Sequence, residues 1–292
     1  MTTPFLGTGI AIVTPFKADK SVDFEALTKV VNFNIENGVN YIVISGTTGE
    51  SATISSAEKK EITACIIKAT NNRVPLVLGI GGNNTATVIE ELKTTDFTGI
   101  SGILSVAPYY SKPTQEGFYQ HFKAISEASP IDIILYNVPG RTAKNMDAQT
   151  TLRLANDFEN IVAVKEAGNN MAQYYELLRD KPEDFAIISG DDDLALGVTL
   201  AGGAGVISVI GQAMTKDFCE MIQLGLEGKT KEAYVLHYKL MEFIGLIFSE
   251  NNPSGIKSLL ENLDLCAAHV RLPLVPATEA LNNKFKSLLA NY

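Results

Sequence analysis

The sequence has no tryptophan and only three cysteines among its 292 residues. Cys65, Cys219 and Cys266 lie far apart and lack the spacing of a metal-ligand set or a redox pair. Three cysteines that lie far apart provide no disulfide framework of the kind that stabilises small secreted proteins. We therefore expect a protein of a reducing compartment, the cytoplasm.

Long apolar runs and clusters of positive charge are also absent. No stretch of about 18 uninterrupted apolar residues occurs, so the sequence predicts no membrane-spanning helix. The opening residues, MTTPFLGTGIAIVTPF, lack a basic segment before their apolar stretch, and we expect no signal peptide. Lys and Arg number 24 against 33 Asp and Glu, which gives a net charge of −9 and no basic patch for a nucleic acid. Neither a membrane nor a nucleic acid is an expected partner.

Apolar residues make up 46% of the chain, and many of them fall into eight short runs at steady intervals. Each run is almost continuously apolar, which is typical of parallel strands that are covered on both faces. Between the runs lie amphipathic stretches of helical period, such as 24–38 and 57–71. The runs are GIAIVTPF (9–16), YIVISG (41–46), VPLVLGIG (74–81), GILSVAPYY (102–110), DIILYNVP (132–139), IVAVKEA (161–167), FAIISG (185–190) and GVISVIG (205–211).

Eight strand and helix repeats predict an α/β protein with a (β/α)8 TIM barrel over residues 1–227, and a doubly wound open sheet is the alternative. After residue 227 the strand pattern stops, and three helical segments follow. We expect residues 228–292 to form a small C-terminal helical bundle packed on the barrel. Active sites of such barrels lie at the carboxyl ends of the strands, so the residues that end each run are the first candidates.

Lys165 is the sharpest candidate because it lies inside the apolar run IVAVKEA. Burial among apolar neighbours disfavours the charged form of an amine, and a neutral amine can attack a ketone to form an imine. The structural alternatives are a side chain that reaches out of the strand end to water, or one that pairs with Glu166. An imine needs neither a metal nor an organic cofactor, and we expect no cofactor.

Further polar residues end the neighbouring runs. Tyr136, one strand away, could move protons near an imine, or it could be an aromatic core residue. Thr47 and Thr48 lie between two glycines and offer hydroxyl and backbone N–H groups for a carboxylate, although an ordinary turn has the same composition. Arg141 could hold a second carboxylate, or it could be a solvated loop charge.

Taken together, these strand ends resemble the dihydrodipicolinate synthase family within the N-acetylneuraminate lyase superfamily of class I aldolases. The likeness extends over nearly the whole chain. It rests on the order and spacing of GTGIAIVTPF, GTTGES, APYYSKPTQEGFYQHF, ILYNVPGRT, VAVKEA, SGDD and GVISV.

The resemblance implies catalytic roles for four residues. Lys165 would be the Schiff-base lysine that captures pyruvate, and Tyr136 would be the proton relay. Thr47 would pass protons between Tyr136 and Tyr110. Tyr110 would be donated across a dimer interface into the neighbouring subunit's site, and the resemblance implies a homotetramer built as a dimer of dimers.

It also implies the residues that bind the substrates. Thr48 would bind the carboxylate of pyruvate, and Arg141 would bind that of (S)-aspartate 4-semialdehyde. Gly190 and Ile207 would contribute main-chain groups near the imine. The implied product is 4-hydroxy-tetrahydrodipicolinate, a precursor of diaminopimelate and lysine.

Within the superfamily, Arg141 and the pair Thr47-Thr48 favour this synthase over sialic-acid lyases, which typically carry Ser-Thr and lack the arginine. An N-acetylneuraminate lyase-like enzyme, or an aldolase or dehydratase acting on a 2-keto-3-deoxy sugar acid, remains the alternative. A metal- or phosphate-dependent barrel enzyme and a catalytically silent barrel are further alternatives from other classes.

The resemblance also implies a cleft where lysine-sensitive members bind their inhibitor. Ser51, Ala52, Asn83 and Tyr109 match that cleft. The histidine and glutamate positions, however, correspond to Ser56, Lys59 and Thr87, and a cation there should repel a cationic effector. We therefore expect weak or absent inhibition by lysine.

Overall fold

The computed structural model describes residues 4–292. Residues 1–3, with which the chain and the predicted barrel segment begin, lie outside the described part. Eight parallel strands close into a barrel in sequence order, and β1 pairs with both β2 and β8. The strands are β1 (Gly7–Ala11), β2 (Tyr41–Ile44), β3 (Leu76–Gly79), β4 (Gly102–Val106), β5 (Ile133–Asn137), β6 (Ile161–Glu166), β7 (Ala186–Ser189) and β8 (Gly205–Ser208).

Helices connect the strands and follow the last of them. Most of the barrel helices begin at a side-chain cap, as α2 does at Ser55, which forms a reciprocal capping box with Glu58. The helices are α1 (Phe24–Glu36), α2 (Ser56–Thr70), α3 (Thr85–Thr94), α4 (Gln115–Ala128), α5 (Pro139–Thr142), α6 (Ala148–Asp157), α7 (Met171–Asp180), α8 (Ala195–Leu200), α9 (Thr215–Leu226), α10 (Thr230–Ser249), α11 (Ser254–Asn262) and α12 (Glu279–Ala290).

The predicted TIM barrel is confirmed, and the closed pairing of β1 with β8 excludes the open sheet. Several apolar runs extend past their strands. The run 102–110, for example, continues beyond the end of β4 at Val106. Its last residues belong to a loop at the barrel mouth, where a cavity wall can be as apolar as a strand.

Large side chains fill the amino-terminal part of the barrel. Tyr41 is fully buried, and its ring occupies the space beside Gly9, where an added Cβ would lie 2.2 Å from a ring carbon. Phe5 packs edge-on against Tyr41 with ring centroids 5.8 Å apart. This end of the barrel is therefore packed core, and open space is left for the carboxyl ends of the strands.

The three helices α10, α11 and α12 of the predicted C-terminal extension are present, and α10 packs against α8 and α9. The division into a barrel over residues 1–227 and a helical bundle over residues 228–292 that packs on it stays a prediction. The extension reaches the barrel mouth through Lys257, whose Nζ lies 2.5 Å from Glu50 Oε1 with both side chains almost completely buried. The same ammonium donates to the carbonyl oxygen of His269 at 2.8 Å and lies 4.2 Å from the ring centroid of Phe16.

We expect Glu50→Gln to lower the free energy of unfolding by about 3–5 kcal/mol, because it leaves the buried Lys257 ammonium without its carboxylate. The double variant Glu50→Gln/Lys257→Met lacks the uncompensated charge and should recover part of that loss. Its loss of stability should therefore be smaller than the sum of the losses in the two single variants. Urea unfolding followed by circular dichroism measures both. As a control, Glu227→Gln breaks an exposed pair with Lys229 and should leave the unfolding midpoint almost unchanged. Additive losses would contradict the assignment.

Candidate active site

A cavity of about 1140 Å³ extends from the carboxyl ends of the strands along the outer groove between α2 and α3, where Thr63 and Glu90 line it. Its walls include Thr47 from the loop after β2, Tyr136 from β5, Arg141 from α5, and Asn252 from the turn between α10 and α11. The structure therefore brings three of the residues predicted for catalysis or substrate binding to one cavity and adds a residue of the C-terminal extension.

Lys165 lies beside the cavity, next to the lining residue Tyr136. β5 and β6 pair so that Tyr136 is opposite Lys165, and the ammonium nitrogen lies 4.5 Å from the centroid of the Tyr136 ring. Only 5% of Lys165 is exposed. No residue between 4 and 292 forms an ion pair or a hydrogen bond with its side chain. The amine is therefore neither extended into solvent nor paired with Glu166.

Gly190 lies against the stem of Lys165. A Cβ at Gly190 would lie 2.9 Å from Lys165 Cε and 2.6 Å from the Cβ of Ala167. Its backbone N–H is already used, because it donates to the carbonyl oxygen of Glu166 at 2.6 Å. Gly190 thus makes room for the lysine, whereas Ile207 is fully buried on β8 among the residues of the barrel interior. That either residue offers a main-chain group to an imine stays a prediction.

Glu166 of β6 is hydrogen-bonded to Asn137 of β5 and so links the two strands that carry Lys165 and Tyr136. Its side chain is fully buried and points away from the cavity. Asn137 Nδ2 donates to its two oxygens at 3.1 and 2.9 Å, and Gln173 Nε2 donates to one of them at 2.8 Å. Burial raises the pKa of Glu166 to about 7, and the amide donors oppose this shift. The sequence offered Glu166 only as a partner for Lys165, because adjacent charges suggest a pair.

Asp192 is a second buried carboxylate near Lys165. It accepts hydrogen bonds from the backbone N–H groups of Val209 and Ile210, the latter at 2.9 Å, and so joins the loop after β7 to the end of β8. Burial raises the pKa of Asp192 to about 6, and hydrogen bonds from the Ser208 side chain and the two backbone N–H groups oppose the rise. No pattern in the sequence distinguished Asp192 from its neighbours Asp191 and Asp193.

Thr48 and Arg141 both contact Asn252. The buried Thr48 hydroxyl accepts a hydrogen bond from Asn252 Nδ2 at 2.9 Å, and the exposed Arg141 donates from Nη2 to the Asn252 carbonyl oxygen at 3.5 Å. Sequence reasoning missed Asn252, because Asn251-Asn252-Pro253 has the composition of an ordinary turn between helices. The two groups predicted to bind carboxylates are therefore linked through one residue.

Tyr110 lies outside this cavity. It is 89% exposed and has a φ of 69°, a backbone conformation that is rare for a bulky residue. The neighbouring Tyr109 does line the cavity, as do Ser51 and Ala52. Asn83 Nδ2 donates to the Tyr109 carbonyl oxygen at 3.2 Å, so the four residues of the predicted lysine cleft lie in one region of the molecule.

The comparisons with known proteins agree with this geometry. The model of the dihydrodipicolinate synthetase family matches residues 4–292. The chain belongs to this family. It is 58% identical to the 4-hydroxy-tetrahydrodipicolinate synthase of Flavobacterium psychrophilum. The alignment spans 280 residues and covers 96% of each chain. The family expected from the sequence is confirmed, and so is the enzyme class, a lyase of the class I aldolase type.

Solved structures of the dihydrodipicolinate synthetase family share the fold. The dihydrodipicolinate synthase of Thermotoga maritima superposes with a TM-score of 0.96 at 36% identity, covering 99% of each chain. A structure of the enzyme from Cyanidioschyzon merolae with lysine bound has a TM-score of 0.95 at 35% identity and covers 99% of this chain and 98% of that one. Within residues 4–292 no group of His, Cys, Asp and Glu is arranged to hold a metal, and no helix could cross a membrane.

We expect Glu166→Gln to change how stability depends on pH. Because its pKa is raised in the folded state, folded Glu166 keeps a proton that the unfolded chain has lost between about pH 4.5 and pH 7. Its contribution to stability therefore falls as pH rises through that window. The unfolding free energy of Glu166→Gln should rise relative to the wild type between about pH 5 and about pH 7.5.

Urea unfolding at the two pH values measures this difference, and Glu176→Gln, an exposed carboxylate on α7, is the control that should show no change. A constant difference between Glu166→Gln and the wild type would mean that Glu166 does not titrate in this range.

Proposed function

We propose that this chain condenses pyruvate with (S)-aspartate 4-semialdehyde, with loss of water, to form 4-hydroxy-tetrahydrodipicolinate for diaminopimelate and lysine biosynthesis. The observation that carries the proposal is the position of Lys165. Its amine is buried with no ion partner among residues 4–292, and it lies 4.5 Å from the ring of Tyr136, which lines a cavity together with Thr47 and Arg141. The name carried by the relatives supports the same reaction.

The reaction follows from the chemistry of a buried amine. Lys165 Nζ attacks the keto carbon of pyruvate, and the carbinolamine that results loses water to give an imine. The imine makes the neighbouring methyl group acidic, so that loss of a proton gives an enamine that adds to the aldehyde carbon of the semialdehyde. The amino group of the semialdehyde then attacks the imine carbon, closes the ring and releases Lys165. Tyr136 and Thr47, which both line the cavity, would move the protons.

Two carboxylates must be bound during this sequence. The Thr48 hydroxyl would bind the carboxylate of pyruvate, and Arg141, exposed at the cavity wall, would bind that of the semialdehyde. The alternative substrates, sialic acid and 2-keto-3-deoxy sugar acids, carry several hydroxyl groups in place of a second carboxylate. Arg141 therefore favours the synthase reaction.

We further propose a homotetramer, a dimer of dimers, in the cytoplasm. Two separate faces expose large side chains that a monomer would leave in water. The first includes Tyr110 at 89% and Tyr109 at 43% exposure, next to the cavity. The second is on α10, where Val235 is 68%, Tyr238 66% and Met241 49% exposed. Two such faces on one chain support two kinds of subunit contact.

We expect borohydride reduction in the presence of pyruvate to add a pyruvyl mass to the peptide that contains Lys165, with or without EDTA. Lys165→Arg should abolish this trapping, while Lys286→Arg, on the exposed face of α12, should not. Tyr136→Phe should still be trapped while turnover falls by about 10²–10⁴-fold, the effect of a lost acid–base group. Mass spectrometry and a coupled assay with aspartate semialdehyde measure these outcomes. Trapping at another lysine, or turnover only with sialic acid, would overturn the proposal.

We expect the enzyme to resist inhibition by lysine. In the predicted cleft, Lys59 Nζ donates to Glu91 Oε1 at 2.5 Å and to the Gly79 carbonyl oxygen at 2.6 Å, so a resident ammonium already uses these acceptors and would repel another. Steady-state assays with added lysine test this, and Lys59→Ala, which frees the Glu91 carboxylate, should increase sensitivity. Half-inhibition of the wild type by submillimolar lysine would contradict the expectation.

A further inference from the structure

Within residues 4–292, Asn252 is the only residue of the C-terminal extension that forms a hydrogen bond with Thr48. It follows Thr48 by 204 positions, is 4% exposed and belongs to the cavity wall. Its side-chain amide donates to the Thr48 hydroxyl at 2.9 Å, and its side-chain oxygen has no hydrogen-bond partner within residues 4–292. The donor end of this buried amide is therefore the end that Thr48 uses.

The direction of this hydrogen bond determines what Thr48 can do. A threonine hydroxyl has one proton to donate and lone pairs that accept. Because Thr48 Oγ1 accepts from Asn252, a lone pair is occupied and the proton remains available for another acceptor. No described residue between 4 and 292 takes that proton. A carboxylate in the cavity is the kind of acceptor that would.

Asn252 is held firmly enough to have this role. Its backbone N–H donates to Asn251 Oδ1 at 2.9 Å, and its carbonyl oxygen accepts a hydrogen bond from Arg141 Nη2. Five residues further along the chain, the buried ion pair of Lys257 with Glu50 fixes the start of α11 to the loop that carries Thr48. Both ends of the Asn252–Thr48 contact are thus fixed by the same anchor.

We propose that Asn252 is a positioning residue for the carboxylate of the keto acid: it occupies the acceptor side of Thr48 so that the hydroxyl proton points to the substrate. This inference rests on the proposed function. The C-terminal extension is then a part of the substrate site, and a chain with an intact barrel but a displaced 251–253 turn would bind pyruvate weakly.

The test measures the pyruvate concentration that half-saturates borohydride trapping at Lys165. We expect Asn252→Ala to raise it by about tenfold, the scale of one hydrogen bond to a charged group, while the melting temperature and the apparent KM for the semialdehyde change little. Asn252→Asp should raise it further, because a carboxylate accepts the Thr48 proton and adds a negative charge beside the anion. Asn156→Asp, on an exposed face of α6, is the matched control.

A double-mutant cycle separates positioning from general support of the fold. Thr48→Val should also weaken pyruvate binding, and Asn252→Ala should have no further effect in the Thr48→Val background, because its action passes through that hydroxyl. Fully additive effects, or wild-type half-saturation in Asn252→Asp, would overturn the inference. If the wild-type protein itself traps no pyruvate, the proposed function fails instead, so the two failures are distinguishable.

Discussion

The pairing of β5 with β6 is the constraint on which the site depends. Their register sets Tyr136 opposite Lys165 and, one residue later, Asn137 opposite Glu166. Because side chains alternate across a strand, the first pair faces the cavity and the second faces the surrounding helices. A shift of one residue would exchange the two pairs and remove the amine from the site. The hydrogen bonds between Asn137 and Glu166 therefore stabilise the register that sets Tyr136 beside Lys165, without contacting either residue.

The C-terminal extension supplies a second constraint that the barrel alone lacks. Glu50 follows the loop of Thr47 and Thr48 and has a left-handed backbone with a φ of 57°. Its carboxylate binds Lys257 and the backbone N–H of Arg271, so the extension fixes this strained turn from outside the barrel. A buried ion pair adds little net stability compared with apolar packing, but it strongly disfavours any arrangement that separates its partners. Here that property orders a loop that carries two site residues.

The sequence was sufficient to predict the barrel and the residues that its strands present. Lys165 and Tyr136 could be found because each lies in an apolar run whose carboxyl end must reach the mouth of the barrel. Asn252 could not, since its contact with Thr48 spans 204 positions and follows only from how α10 and α11 pack. The buried role of Glu166 was missed for a different reason. The identity of its partners depends on the strand register, which an apolar run does not specify.

Two lysines of this chain are buried to a similar degree, and their partners explain their different roles. Lys257 is 0% exposed and has a carboxylate, a carbonyl oxygen and an aromatic ring around its ammonium, so it is a satisfied structural cation. Lys165 is 5% exposed and its nitrogen lies 4.5 Å from the centroid of the Tyr136 ring, while the Asp192 carboxylate of the loop after β7 accepts hydrogen bonds from backbone N–H groups. Among residues 4–292, the ammonium of Lys257 is thus surrounded by acceptors, and the amine of Lys165 has no hydrogen-bond or ion-pair partner. In the proposed reaction, the free energy that this arrangement costs would be recovered when a keto acid brings its own carboxylate and the amine becomes part of a covalent imine.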